Sequence, residues 1–109
     1  MSDTAMWERT RQLLEDAPVQ GPDVDAKVRQ LLNAEYLRRL GQYRRTEQAL
    51  SQKYGMTFTQ FVARHVLRKK QYSQEAENDA MAWETAISGI TTMERKLDEL
   101  REAGLAPHE

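Results

Sequence analysis

The sequence predicts an all-α protein: an antiparallel helical hairpin of two long helices joined by a short helix, with a short N-terminal helical arm. Three observations predict it. Two long segments place apolar residues at steps of three, four and seven, the spacing of a helix seam. Between them, Gly55 and Thr57 close one helix and open the next with almost no loop. Ahead of both, Pro18, Gly21 and Pro22 interrupt the chain. The boundaries that follow are an arm and hinge over 1–22, a hairpin over 23–104 and a polar tail over 105–109.

Residues 4–16 form an amphipathic helix that Asp3 or Thr4 can cap, with Met6, Thr10, Leu13 and Leu14 on one side and Trp7 adjoining. Asp23 or Asp25 caps the next helix, which runs to Tyr54. Its stripe begins at Val24, Val28 and Leu31/Leu32 and continues through Tyr36, Leu40, Tyr43, Leu50 and Tyr54, with Glu47 filling the missing step. Gly55 ends it as a left-handed cap residue.

Thr57 and Gln60 then form a Thr-x-x-Gln capping box, and Met56 and Phe61 occupy the positions of a hydrophobic staple. A short helix over 58–69 follows, with Phe58, Phe61, Val62, His65 and Val66 able to face inward. Ser73 caps the last helix, whose early acids Glu75, Glu77 and Asp79 suit the helix dipole. Trp83, Ile90 and Leu97 repeat every seven residues, Ala86, Met93 and Leu100 follow three behind, and Ile87 widens the stripe. This helix is expected to stop near Ala103, with Gly104 and Leu105 as its terminating pair. Gly89, in mid-helix, costs about 1 kcal/mol relative to Ala and implies close approach of another backbone. Each long helix would extend roughly 45 Å. Such a hairpin has little interior, so part of a stripe is left for self-association or a second protein.

Charge is sorted by position. Residues 26–72 hold eleven Lys/Arg against two acids, a balance of +9, while residues 1–25 carry −4 and residues 73–109 carry −6. The near-neutral total of −1 therefore hides a basic middle between acidic ends. Arg38, Arg39, Arg44 and Arg45 can pair with Glu94, Asp98, Glu99 and Glu102 and set an antiparallel register. The unbalanced remainder is Arg64, Arg68, Lys69 and Lys70, which suit nucleic acid or an acidic protein. The run from Leu50 to Phe61 also has the outline of a helix–turn–helix, with Thr57, Thr59, Gln60 and Arg64 early in its second helix. Against DNA reading stand the length of the first helix and the packing roles of Phe58 and Phe61.

The 109 residues contain no Cys, which excludes disulfides and thiolate metal sites, and no apolar run approaches a membrane span. The polar, acidic start lacks the order of a signal peptide, so a soluble cytoplasmic protein is expected. No nucleophile with a nearby base, phosphate-cradling Gly loop or metal-ligand set is present, so no enzyme, cofactor or metal is expected. Glu75, Glu77, Asp79 and Glu84 serve the dipole and solubility. His65 is expected to be a partly buried packing residue, and His108 falls in the tail. The arm admits three readings: a disordered extension, a helix packed back on the hairpin, or a helix that docks on a partner.

Three groups of words carry a resemblance. They are Tyr36-Leu37-x-Arg39-Leu40-x-x-Tyr43, then Lys53-Tyr54-Gly55-Met56-Thr57-Phe58-x-x-Phe61, then Asp79-Ala80-Met81-x-Trp83-Glu84-x-Ala86-x-x-Gly89-Ile90-x-x-x-Glu94-x-Lys96-Leu97. Over about residues 28–101 the chain resembles a family of small helical bacterial and archaeal proteins similar to antitoxins of TumE-like toxin–antitoxin pairs. The resemblance implies a non-catalytic protein that binds and neutralises a ribonuclease-like toxin and represses its own operon. Val66-Leu67-Arg68-Lys69-Lys70 departs from it, because many members carry acids there.

The expected function is a protein-interaction module of antitoxin type, forming a homo-oligomer and contacting a protein partner. Its expected contacts are Tyr36, Tyr43, Leu50, Tyr54, Trp83, Ile87 and Ile90, with the arm. The alternatives are a nucleic-acid-binding regulator using Arg64, Arg68, Lys69 and Lys70, and a small helical subunit of a larger defence or ribonucleoprotein assembly.

Overall fold

The computed structural model describes residues 3–105, with side chains from 6 to 104. Among these residues the chain is all-α. Its helices are α1 (Asp3–Asp16), α2 (Val24–Tyr54), α3 (Phe58–Ala63), α4 (Val66–Lys69) and α5 (Gln74–Leu105). Two compact units divide it, one of Met1–Leu37 with Lys96–Glu109 and the other of Arg38–Arg95. The expected capping side chains Asp3 and Thr4, the Leu105 contact and His108 lie outside the described side chains.

In the first unit α1 ends where the proline-bearing segment begins. Lys27 Nζ donates to the carbonyls of Leu14 at 3.1 Å and Glu15 at 2.6 Å, so an ammonium satisfies the exposed end of α1 where the helix dipole favours a cation. Asp23, rather than Asp25, caps α2 by accepting from the Ala26 amide at 2.8 Å. Asp25 instead pairs with Arg29 one turn on. Gly21 sits at φ +152, and a Cβ there would meet Ala26 Cβ at 3.0 Å, so this turn requires glycine. Lys96 lies over the Tyr36 ring, 6.0 Å from its centroid. No described residue of this unit is fully buried, and Leu31, Leu32 and Leu37 remain exposed.

All of the described core therefore lies in the second unit. Leu50, Phe61, Val66 and Trp83 form its centre, with Tyr54, Met56, Phe58, Leu67, Ala80 and Ile87 packed around them. Here α2 and α5 pack together in opposite chain sense: Tyr54 meets Asp79, Tyr43 meets Gly89, and Arg44 meets Glu94. Trp83 is completely buried, its ring centroid 5.8 Å from that of Tyr54, 5.4 Å from Phe58 and 5.3 Å from Phe61. Tyr54 and Phe61 meet edge to face at 5.0 Å. Such ring pairs contribute about 0.5–1.5 kcal/mol each beyond area burial. Trp83 Nε1 has no hydrogen-bond partner in this interior, a cost of about 1–3 kcal/mol set against burial of the whole indole.

The corner forms as predicted at its start. Gly55 takes φ 64, and the Met56 amide reaches back to the Ser51 carbonyl at 3.2 Å, the longer bond of a Schellman closure. Thr57 Oγ1 accepts from the Gln60 amide at 3.1 Å, and Gln60 Oε1 accepts from the Thr57 amide at 3.0 Å. Beyond it, the single helix expected over 58–69 is two short ones, broken where His65 turns left-handed at φ 53. Phe61 and Val66 supply the reason. Five residues apart on one helix, they would point about 140° away from each other. The left-handed residue resets the phase, so both reach the core, while Val62 and His65 are exposed instead of facing inward.

Gln71 and Tyr72, also left-handed at φ 55 and 53, then turn the chain toward α5. Ser73 Oγ caps α5 through the Ala76 amide at 3.2 Å. The far end of α5 runs through Gly104 rather than stopping near Ala103, and Gly104 lacks the positive φ of a terminating glycine. Gly89 has its close neighbour, but that neighbour is a ring and not a backbone: a Cβ would lie 2.5 Å from Tyr43 Cδ2.

Candidate protein-interaction surface

The seam residues expected to meet a partner separate into two kinds. Leu50 and Trp83 are buried in the core, so they hold the second unit together and offer no surface. Tyr43, Tyr54, Ile87 and Ile90 in that unit are half-buried, as is Tyr36 in the first. Tyr54 is engaged through both its ring and its hydroxyl.

That hydroxyl belongs to a polar cluster that charge sorting along the sequence did not reveal. Tyr54 Oη donates to Asp79 Oδ2 at 2.7 Å, and Lys53 Nζ donates to the same oxygen at 2.7 Å and to Glu75 Oε1 at 2.6 Å. The last turn of α2 is thereby joined to the first turns of α5. Hydrogen bonds from Lys53 and then Tyr54 hold the Asp79 carboxyl below its ordinary range. Burial, followed by the bond to Asp79, pushes the Tyr54 phenol up to about 12. Hydrogen bonds to Asp79 and Glu75 raise Lys53. The signal in the sequence was a base in the last turn of one helix and acids in the opening turns of the next. Glu75 and Asp79 thus serve a specific clasp in addition to the dipole.

The expected pairing between Arg38–Arg45 and the last helix is seen at Arg44–Glu94, where N and O are 3.4 Å apart with both side chains more than half exposed. A pair in that setting contributes about 0–1 kcal/mol. Asp98 pairs with Arg101 on its own helix, and Arg45 makes no ion pair among the described residues. Arg38, Arg39 and Glu99 are engaged in interactions of their own.

Arg64, Arg68, Lys69 and Lys70 are all exposed and have no ion pair among the described residues. Residues 56–72 contain these four bases and no acid. Their backbone is bracketed by the left-handed residues His65, Gln71 and Tyr72, conformations that cost roughly 1–2 kcal/mol each outside glycine. Of the four, Arg68 also lines an open groove of about 610 Å³, together with Phe58, Val62, Leu67, Tyr72, Ala80 and Met81. Val62, Tyr72 and Met81 are 56%, 58% and 68% exposed, so the groove presents apolar surface directly to water. Glu77 and Glu84 of α5 belong to the same lining. The residues missed from the sequence are these three apolar ones. Met81 lies off the Trp83 stripe, and Val62 was expected inside.

Of the helix–turn–helix candidates, Thr57 and Gln60 bond each other in the capping box, while Thr59 and Arg64 are exposed. No group of three or more His, Asp or Glu is placed to hold a metal ion among the described residues. None of the described helices is long and apolar enough to cross a membrane. No family model matches the chain, and no curated protein or solved structure is significantly similar to it.

Proposed function

We propose that this chain is a non-catalytic protein-interaction module, an antitoxin-like protein that binds and neutralises a small toxin through the corner of its second unit. One observation carries the reading: an open apolar groove with Arg68 in its lining is formed in part by residues 56–72, whose four exposed bases have no ion pair among the described residues. Exposed apolar surface next to unbalanced charge is what a protein partner with an acidic, apolar contact face would bury. The resemblance of residues 28–101 to antitoxins of TumE-like pairs supplies the class of partner. Half-buried Tyr43, Ile87 and Ile90, with Tyr36, remain candidate further contacts, and the proposal includes a cytoplasmic location.

Co-expression with the product of the adjacent reading frame tests it. A stoichiometric complex and rescue of growth are expected, both weakened when Arg64, Arg68, Lys69 and Lys70 are replaced by Ala. Failure of the pair to associate, with no effect on growth, would remove the toxin-binding reading. The same bases support a second reading as a nucleic-acid-binding regulator, whose affinity would fall steeply with salt. Engagement of Thr57 and Gln60 in the capping box makes it the less favoured of the two.

A further inference from the structure

Two apolar surfaces of this chain are left open to water, and the segments that supply them differ in charge: residues 3–16 hold more acids than bases, while residues 56–72 hold four bases and no acid. The first is the face of α1, where Met6, Trp7 and Leu13 are 59%, 50% and 70% exposed. In sequence α1 has four acids, Asp3, Glu8, Glu15 and Asp16, against two bases, Arg9 and Arg11. Arg11 is already committed to Glu8 and Glu15, which leaves Asp16 without an ion pair among the described residues. The second surface is the groove of the second unit, whose lining holds Arg68 with Glu77 and Glu84 and which is built in part from residues 56–72, where Arg64, Lys69 and Lys70 are exposed as well. An amphipathic helix laid into an apolar groove is a recurrent mode of recognition, anchored by residues three, four and seven apart. Met6, Thr10 and Leu13 have that spacing, and Trp7 adds a large aromatic anchor. Arg9, on the flank opposite Arg11, can meet Glu77 or Glu84 of the lining.

We infer that α1 of one copy docks into the α3–α4–α5 groove of a second copy, so that the chain on its own is a dimer held by reciprocal exchange of arms. Exchange between two copies closes on itself, makes the contact twice and leaves neither surface open. An outside acidic partner would compete with the arm for the groove. The inference therefore concerns the same surface as the toxin-binding reading, but its test contains no outside partner, so the two fail separately.

The test is complementation between full-length variants, read by sedimentation velocity after nuclease treatment. Trp7→Ala with Leu13→Ala disables the arm, and Arg68→Glu with Lys69→Glu disables the groove. All four side chains are exposed or without ion pairs, so each variant should keep the circular dichroism of the parent. Wild type is expected to dimerise, and each variant alone to associate at least about tenfold more weakly, as loss of an aromatic anchor does. Mixing the two variants restores one intact arm-in-groove contact, and a mixed dimer should reappear. Trp7 gives a second readout. Trp83 is fully buried, so a blue shift in tryptophan emission with rising concentration reports the arm. A monomeric wild type would overturn the inference, as would dimerisation that neither variant weakens. A mixture that stays monomeric would do so too, because it assigns the arm to its own chain. Association that vanishes with nuclease would replace a second copy with nucleic acid.

Discussion

Gly89→Ala sets two known effects against each other at one atom. In a helix interior Ala is favoured over Gly by about 1 kcal/mol. Here, however, the new Cβ would lie 2.5 Å from Tyr43 Cδ2 and Cε2 and 2.6 Å from Cζ. Carbon atoms rest about 3.5–4.0 Å apart, so the ring must retreat by about 1 Å. Tyr43 is half-buried on the packed face of α2, and retreat forfeits its contact with α5. Forced repacking of this kind costs about 1–3 kcal/mol. The clash wins, and a net loss of about 1 kcal/mol is expected in urea unfolding. In a Tyr43→Ala background the opposing ring is gone, and the same substitution should gain about 1 kcal/mol. The coupling of about 2 kcal/mol is the signature of direct contact. If Gly89→Ala stabilised the wild type as it does the Tyr43→Ala chain, ring packing against this glycine would be refuted.

Four further outcomes follow from the structure. Asp79 titrates below its ordinary value, so its clasp stabilises the fold above the unfolded carboxyl's pKa and is lost as pH falls through the folded one; Asp79→Asn should flatten that acid limb in pH-dependent melting. Tyr54 is raised to about 12, so its contribution is complete below the unfolded phenol's pKa and is lost as pH climbs from there through about 12, and ultraviolet titration should show Tyr54 ionising late. His65 pays a left-handed backbone penalty that glycine avoids, and His65→Gly should raise stability by about 1 kcal/mol in denaturant unfolding; an equal loss would mean its side chain packs. Because every fully buried described residue lies in Arg38–Arg95, amide exchange should be slowest around Leu50, Trp83 and Ala86 and faster throughout the first unit. Uniform protection would contradict that.

Much of the fold was legible because it depends on local chemistry. The capping box, the left-handed Gly55, the Ser73 cap and the heptad-spaced Trp83, Ala86 and Met93 are short-range patterns, and each meets its expected partner or burial. What periodicity misread was phase. Phe58, Phe61, Val62, His65 and Val66 read as one inward face, yet burying Phe61 and Val66 together requires a break that no local propensity announces. That break turned Val62 outward and helped open the groove. Gly104 misled for a related reason: a glycine near a helix end permits a left-handed stop but does not compel one. The Lys53–Tyr54–Asp79 clasp depends on residues 25 apart meeting across α2 and α5, which the seam implies only after its register is known. For the candidate surface, charge patterning located the four bases, while the apolar residues beside them emerged only from packing.

On the proposed function, Arg64, Arg68, Lys69 and Lys70 are held for an acidic partner and contribute nothing essential to the chain's own fold. Urea unfolding of the chain with all four replaced by Ala measures this directly. A stability within about 0.5 kcal/mol of wild type is expected for each replacement, as for surface substitutions that break no contact, with association weakened. A chain that unfolds several kcal/mol more easily, with association intact, would contradict it.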